Sequence, residues 1–145
     1  MNMNFTIRDA DLGDAEGIRA LNVQLGYDYP AEKTERHLDK ALSLPYVKIC
    51  VAEADGKIVG YIHAADYECT YADTMKDILA LVVDESCRGA GVGRALLAAA
   101  EAWARDTGAA GIHLVSGWNR TGAHRFYEKC GYVNRKDQKN FMKWF

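Results

Sequence analysis

Apolar residues change their spacing along the chain, and these changes predict its helices and strands. From Asp11 to Leu25 they recur mostly every three or four positions, which is the spacing of an amphipathic helix. Two runs typical of strands follow, Val47 to Ala54 and Lys57 to about Tyr67, and the Asp55-Gly56 pair between them is typical of a two-residue hairpin turn. This part of the chain therefore predicts a helix followed by an antiparallel hairpin.

The same reasoning predicts the other elements, and their order indicates the fold class. Further strands are expected at Phe5–Arg8, Met75–Val83 and Ile112–Ser116, with last strands at Tyr132–Val133 and about Lys139–Trp144; further helices are expected at Glu32–Leu44, from the glycine-rich turn at Arg88–Gly93 up to Gly108, and at Thr121–Cys130. Such mixing favours an α/β (α+β) sheet with helices on both faces, in a single domain over residues 1–145.

Composition and charge narrow the classes of partner. The formal net charge is -2, so no basic surface is required and nucleic acid is not the expected partner. No apolar run reaches the length of about 18 residues that a membrane helix needs, and the first residues do not resemble a signal peptide, so we expect no membrane partner and a cytoplasmic location. The cysteines and histidines form no closely spaced pairs, so no metal site is expected.

The segment Gly89-Ala90-Gly91-Val92-Gly93 carries the most specific chemistry in the sequence. It lies between a predicted strand and a predicted helix. Glycines let backbone N–H groups converge on an anion, and the positive end of the helix dipole adds to the field there. A phosphate or pyrophosphate is therefore the predicted ligand.

Two common phosphate-binding motifs do not match this segment. The P-loop requires Gly-Lys-Ser/Thr, whereas this chain has Gly93-Arg94-Ala95. The dinucleotide fingerprint requires a third glycine where this chain has Arg94 or Leu96. A glycine-rich helix start without a ligand is the remaining alternative, and we disfavour it because such dense glycines weaken a helix unless a close backbone approach requires them.

Two segments resemble the cofactor motifs of the GNAT acetyltransferase superfamily. In the first, Arg88, Gly91 and Gly93 form an Arg-x-x-Gly-x-Gly pattern that resembles the pyrophosphate-binding motif of that family. In the second, Asn119 precedes a predicted helix that contains Phe-Tyr and is followed by Gly-Tyr, and this resembles the second cofactor segment. The resemblance covers about Ile58 to Tyr132.

The resemblance implies a fold, a cofactor and a reaction. The fold is a GNAT-like mixed, mostly antiparallel twisted sheet of about six to seven strands, with about four helices on both faces. The reaction is N-acetyl transfer from acetyl-coenzyme A to a primary amine of a small molecule by direct attack, without a covalent enzyme intermediate. Homodimers are common in the family, although no residue here indicates one.

The resemblance also implies which residues hold the cofactor. N–H groups between Arg88 and Arg94 would hold the diphosphate, and backbone groups at the end of the Met75–Val83 strand would pair with pantetheine. Tyr127 would protonate the leaving thiolate, because a phenol with a pKa of about 10 is protonated at neutral pH. Helical spacing alone instead predicts Tyr127 as a core residue. The full cofactor set is Leu81, Val82, Val83, Arg88, Gly89, Ala90, Gly91, Val92, Gly93, Arg94, Asn119 and Tyr127.

Asp77 is the candidate general base. An ammonium like that of lysine has a pKa of about 10.4, so the acceptor must lose a proton at neutral pH, and a carboxylate can accept it, often through water. Asp77 lies on the strand on which several members of the family carry a glutamate base. Strand alternation predicts that it shares a face with Leu79, Leu81 and Val83. The alternative is that Asp77 merely ends the strand in solvent.

Aromatic and acidic residues in two connections form the candidate acceptor site. One connection follows the first predicted helix, and the other lies around Glu68–Thr74, before the Met75–Val83 strand. The resemblance implies that both connections flank the acceptor cleft, and their chemistry suits a small cationic amine. The candidate residues are Tyr27, Tyr29, Tyr67, Glu68 and Tyr71.

Two alternatives remain open. One keeps the reaction but changes the acceptor to an aminoalkylphosphonate or a protein amine, since the Ala-His-Arg-Phe-Tyr segment at residues 123–127 is similar to aminoalkylphosphonate acetyltransferases. The other is a non-catalytic module that binds acyl-coenzyme A.

Overall fold

The computed structural model of the chain describes residues 3–145, which form one sheet and four α-helices. The strands are β1 (Thr6–Asp9), β2 (Val47–Ala54), β3 (Lys57–Cys69), β4 (Ala72–Val83) and β5 (Ile112–His113), and the helices are α1 (Ala15–Gln24), α2 (Ala31–Leu42), α3 (Val92–Asp106) and α4 (Thr121–Lys129). The sheet order is β1-β2-β3-β4-β5, antiparallel except between β4 and β5. The predicted class and the four helices are therefore confirmed.

The predicted count of about six to seven strands was too high, since the described residues contain five. The strands expected at Tyr132–Val133 and Lys139–Trp144 do not form. Within the described part of the chain, residues 133–145 make no backbone hydrogen bond, and Phe141 and Trp144 are 87% and 83% exposed. Alternation of apolar side chains indicates a strand only where a neighbouring strand completes the ladder.

The hairpin of β3 and β4 is longer than predicted. The connection expected at Glu68–Thr74 is reduced to a tight turn at Thr70-Tyr71, because Cys69 pairs with Ala72. The Thr74 hydroxyl donates to Glu68 Oε1 at 2.6 Å across the end of the hairpin. Strand β5 is shorter than expected and ends at His113 instead of Ser116.

Strand β4 contains a bulge at Leu79. Ile78 pairs with Ala64 of β3 and Ala80 pairs with the preceding residue His63, so Leu79 has no partner in the ladder. A bulge interrupts the two-residue alternation of side chains along its strand. Counting every second residue therefore does not show which side chains before Leu79 share a face with which side chains after it.

The bulge places Asp77 on the opposite face from the one predicted. Asp77 lies across from Ala65, and Val82 lies across from Tyr61. Ala65 and Tyr61 are four residues apart on the regular strand β3, so their side chains share a face, and their cross-strand partners share it too. The prediction that Asp77 shares a face with Leu81 was therefore wrong.

Two helix layers cover the sheet of the unit that ends at Leu114. On one face, Tyr61 and Val82 pack in a core that α1 and α2 complete with Ile18, Leu21 and Leu38. The next residue along β3, Gly60, points to the other face, where a Cβ would lie 3.0 Å from the Leu96 side chain of α3. Helices on both faces are thereby confirmed.

The chain divides into two compact units, one up to Leu114 and one over Val115–Phe145. In the second unit α4 ends at Lys129, and Gly131, just after the C-cap residue Cys130, takes a left-handed φ of 92°, as its place after the apolar stripe predicts. The single domain over residues 1–145 stays a prediction. No helix within residues 3–145 is long and apolar enough to cross a membrane.

Replacing Gly60 with alanine tests the packing of α3 on β3. The added methyl group would meet Val82 O and the Leu96 side chain, each at 3.0 Å, and a backbone oxygen cannot rotate away. We expect the free energy of unfolding to fall by about 1–3 kcal/mol in urea denaturation.

Gly122→Ala on α4 is the matched control, because a Cβ there has only the tip of Arg125 at 4.0 Å. It should leave stability unchanged or raise it. A Gly60→Ala protein as stable as wild type would contradict this account of α3.

Candidate active site

The connection from β4 to α3 is fixed at its start by Asp84. The Asp84 N–H donates to Val59 O at 2.8 Å, and Asp84 Oδ1 accepts from the Ser86 N–H at 2.9 Å and the Ser86 hydroxyl at 2.7 Å. These hydrogen bonds from Ser86 lower the pKa of Asp84. The Glu85 N–H donates to Gln24 Oε1 at 3.0 Å, which ties the connection to the end of α1. A short 3-10 helix, Glu85–Cys87, then leads to the glycine turn.

The glycine turn leaves a set of backbone donors without protein partners. Gly89 and Gly91 have φ values of 82° and 87°, which glycine adopts without strain, and Gly91 is the N-cap of α3. Among the described residues, no acceptor bonds the N–H groups of residues 88–94; the Ala95 N–H is the first to bond back, to Gly91 O at 3.0 Å. The space beside both glycines is open. These donors at a helix N-terminus suit an anion.

Strand β4 has an open backbone edge beside this turn. It pairs with β5 only through Lys76 with Ile112 and Asp77 with His113. From Ile78 to Val83, its ladder within residues 3–145 continues on the β3 side alone. This stretch spans about 20 Å at about 3.3 Å per residue. A row of unpaired N–H and C=O groups therefore runs from the glycine turn to the Asp77–His113 pair.

At the far end of this edge lies a hydrogen-bonded pair of ionisable side chains. His113 Nδ1 is 2.9 Å from Asp77 Oδ1, and the two side chains are 26% and 30% exposed. The ring of Tyr67 stacks on His113, with centroids 4.8 Å apart and planes inclined by 21°. The structure thus brings together Asp77 and Tyr67, both predicted from the sequence, and adds His113.

His113 was not predicted as a site residue, because no local pattern marks it and its place beside Asp77 depends on the pairing of β4 with β5. The signal that could have found it is the helix between the strands of Met75–Val83 and Ile112–Ser116. A strand–helix–strand order predicts parallel neighbours, and this places a residue of the second strand beside the middle of the first.

The other predicted acceptor-site residues have different surroundings. Tyr27 is 64% exposed, and Tyr71 is 82% exposed in the hairpin turn. The hydroxyl of Tyr29 lies 3.2 Å from Nε2 of His37 on α2. Glu68 accepts from Thr74 within the hairpin. Of the predicted set, Tyr67 is the residue that the structure shows against the Asp77–His113 pair.

Asn119 and Tyr127 belong to the second unit. Asn119 is exposed just before α4. The ring of Tyr127 on α4 meets Phe126 and Tyr132 edge-on, with centroids 5.2 and 5.9 Å away. Burial raises the pKa of Tyr127, so its phenol keeps its proton at neutral pH.

Comparisons with known proteins identify the family of this chain. The Acetyltransferase (GNAT) family matches residues 16–132. The chain is 32% identical over 133 residues to an aminoglycoside N(6')-acetyltransferase type 1 of Stenotrophomonas maltophilia, covering 88% of this chain and 85% of that protein. It is 37% identical over 89 residues to an aminoalkylphosphonate N-acetyltransferase of Salmonella typhimurium, covering 61% of this chain and 58% of that protein.

A solved structure shares the fold. The aminoglycoside N-acetyltransferase AAC(6')-Iy, determined in complex with CoA, matches with a TM-score of 0.87 at 20% identity, over 99% of this chain and 97% of that one. The family predicted from the two cofactor motifs is therefore confirmed. The chain belongs to the GNAT family of acetyltransferases, enzymes that use acetyl-coenzyme A.

Proposed function

We propose that this enzyme transfers the acetyl group of acetyl-coenzyme A to a primary amine of a small cationic molecule by direct attack. The observation that carries the proposal is the open edge of β4, which joins the glycine turn to the Asp77–His113 pair. One end of this edge offers donors for phosphate, and the other offers acceptors for a proton. A thioester must be held between two such ends for direct transfer.

The free donors of the glycine turn fit the diphosphate of the cofactor. Seven consecutive residues, 88–94, have N–H groups without acceptors among the described residues, and the exposed side chains of Arg88 and Arg94 add positive charge. Backbone groups of Leu81, Val82 and Val83 lie on the open edge, where they can pair with the amides of pantetheine. The cofactor supplies the activated acetyl thioester.

Transfer needs a proton acceptor and a proton donor. The Asp77–His113 pair is the proposed acceptor for the proton that the amine loses. A backbone N–H on the open edge of β4 would polarise the thioester carbonyl. Tyr127 is the proposed donor to the leaving thiolate, and because burial raises its pKa, the phenol carries the proton to be donated at neutral pH.

The surroundings of the pair favour a cationic acceptor without an anionic group. Tyr67 supplies an aromatic ring and Asp77 a carboxylate, whereas an aminoalkylphosphonate requires a basic partner for its phosphonate. Lys76 lies beside Asp77 in sequence, but its ammonium is bonded to Asp66 at 2.5 Å and packs over Trp103 on the α3 face. The similarity to an aminoglycoside acetyltransferase supports the same choice.

A thiol-release assay tests the acceptor class. With acetyl-coenzyme A and matched concentrations of aminoglycosides, polyamines, aminoalkylphosphonates and lysine peptides, we expect kcat/KM to be at least about tenfold higher for one of the first two classes, which corresponds to about 1.4 kcal/mol. Turnover confined to the aminoalkylphosphonates would contradict the proposed acceptor and favour the second relative. Turnover confined to the peptides would identify a protein acceptor instead.

Gly91→Glu tests the glycine turn. The new side chain would place a negative charge among the free N–H donors, so we expect the Kd of coenzyme A in calorimetry to rise at least about tenfold. Gly56→Glu is the control, because Gly56 has a similar φ of 73° and open space but lies in the β2–β3 turn. Both variants carry the same backbone strain and charge. If both variants bind coenzyme A with the same affinity, the glycine turn does not hold the diphosphate.

Tyr127→Phe tests the proton donor. Loss of the phenol proton should lower kcat by about 100-fold while the KM for acetyl-coenzyme A changes little, because the ring and its contacts remain. The measurement is steady-state kinetics at saturating acceptor, with circular dichroism to verify folding. A variant with the kcat of wild type would leave Tyr127 with a packing role alone.

A further inference from the structure

We propose that Nε2 of His113 is the atom that takes the proton from the acceptor amine, and that Asp77 is a positioning residue that orients the imidazole. This inference rests on the proposed amine acetylation and deepens it. It moves the base from the carboxylate that the sequence predicted to the histidine that the structure places beside it.

The hydrogen bond between the two side chains decides the tautomer. An ionised carboxylate only accepts, so His113 Nδ1 must carry the hydrogen that lies 2.9 Å from Asp77 Oδ1. The neutral ring then has its lone pair on Nε2. Among the described residues Nε2 has no hydrogen-bond partner, and the side chain is 26% exposed. Nε2 is therefore a free acceptor, and although Oδ2 of Asp77 also has no partner among the described residues, an imidazole nitrogen is ordinarily a stronger base than a carboxylate oxygen.

The ring of His113 is held from two directions. The bond to Asp77 fixes its edge, and the stacked ring of Tyr67 covers one face at 4.8 Å. All three residues stand on paired strands, and His113 and Asp77 are direct partners in the parallel ladder. Such a ring needs little reorganisation to accept a proton, whereas Oδ1 of Asp77 is already engaged.

His113 also stands where the open edge of β4 begins. It is the last residue of β5, and from Ile78 onward β4 has no partner on that side among the described residues. An extended arm anchored at the glycine turn and paired along the edge would end at this point. The thioester at the end of that arm would then lie next to Nε2.

The charged and titratable groups described near the ring of His113 lie on β3 and β4. Asp77 faces it from β4 and Tyr67 from β3. His63, further along the same face of β3, has its pKa lowered by burial and therefore stays neutral. Lys76 and Asp66 pair with each other on the opposite face. Asp77 thus supplies the negative charge next to the ring.

The proposed transfer moves protons through His113 and Tyr127. The acceptor ammonium first releases one proton to solvent. The lone pair of the resulting neutral amine forms a bond to the carbonyl carbon, and the π electrons of the carbonyl move to oxygen, from which they return when the C–S bond breaks. The nitrogen passes one proton to His113 Nε2. The C–S bond then breaks, and the thiolate takes a proton from Tyr127. The imidazolium returns its proton to solvent, and the phenolate regains one, so the net products are an amide and a thiol.

Two variants separate His113 from Asp77. His113→Asn keeps a donor for the Asp77 carboxylate but has no base, so kcat with the best amine should fall by about 100-fold or more, with little change in the KM for acetyl-coenzyme A. Added imidazole should restore part of the rate. Asp77→Asn keeps an acceptor for Nδ1 but removes the charge that favours the imidazolium. It should lower kcat less, by about tenfold, and move the acidic limb of the pH–rate profile to lower pH.

Calorimetry with coenzyme A and thermal unfolding of each variant show whether a loss of rate reflects misfolding. His113→Gln is a second variant without a basic group and should lose rate as His113→Asn does. If Asp77→Asn removes the acidic limb and costs more than His113→Asn, the base is Asp77 and the inference is overturned. If His113→Asn keeps the kcat and pH profile of wild type, the inference fails while amine acetylation stands. If wild type acetylates no amine in the panel, the proposed function fails and this inference with it.

Discussion

The short pairing between β4 and β5 is the constraint on which the site depends. Two residue pairs are enough to hold His113 beside Asp77, and after them the strands part. A longer ladder would satisfy the backbone groups of Ile78–Val83 internally and leave nothing for a ligand to pair with. The same edge therefore joins the proposed proton-accepting pair to the free backbone that leads to it.

Packing on both faces holds β4 in this position. On the α3 face, the absent side chain of Gly60 lets Leu96 and Val92 approach the strands closely, next to the glycine turn. On the other face, the Tyr61 hydroxyl donates to Asn22 of α1 at 2.5 Å. Burial raises the pKa of Tyr61 to about 12, so this donor is retained at neutral pH. The bond from Glu85 to Gln24 ties the start of the turn to the same helix.

The sequence was informative where local chemistry determines structure. Gly91 and Gly131 mark the ends of helices because a left-handed φ suits glycine, and both are observed in that conformation. The bulge at Leu79 and the partner of Asp77 depend on register between distant strands, which periodicity does not contain. The residues from about Lys139 to Trp144 were predicted as a strand, but local composition does not show whether a partner strand exists, and none pairs with them among the described residues.

The open edge of β4 also bears on the behaviour of the chain in concentrated solution. A strand edge with unpaired N–H and C=O groups is a template for another chain, and Leu79 on this edge is 57% exposed. Neither a proline nor a lysine interrupts Ile78–Val83, the residues that usually protect such edges. A cofactor paired along this edge would close it. The supply of coenzyme A would then decide how much of this edge is available to pair with another chain.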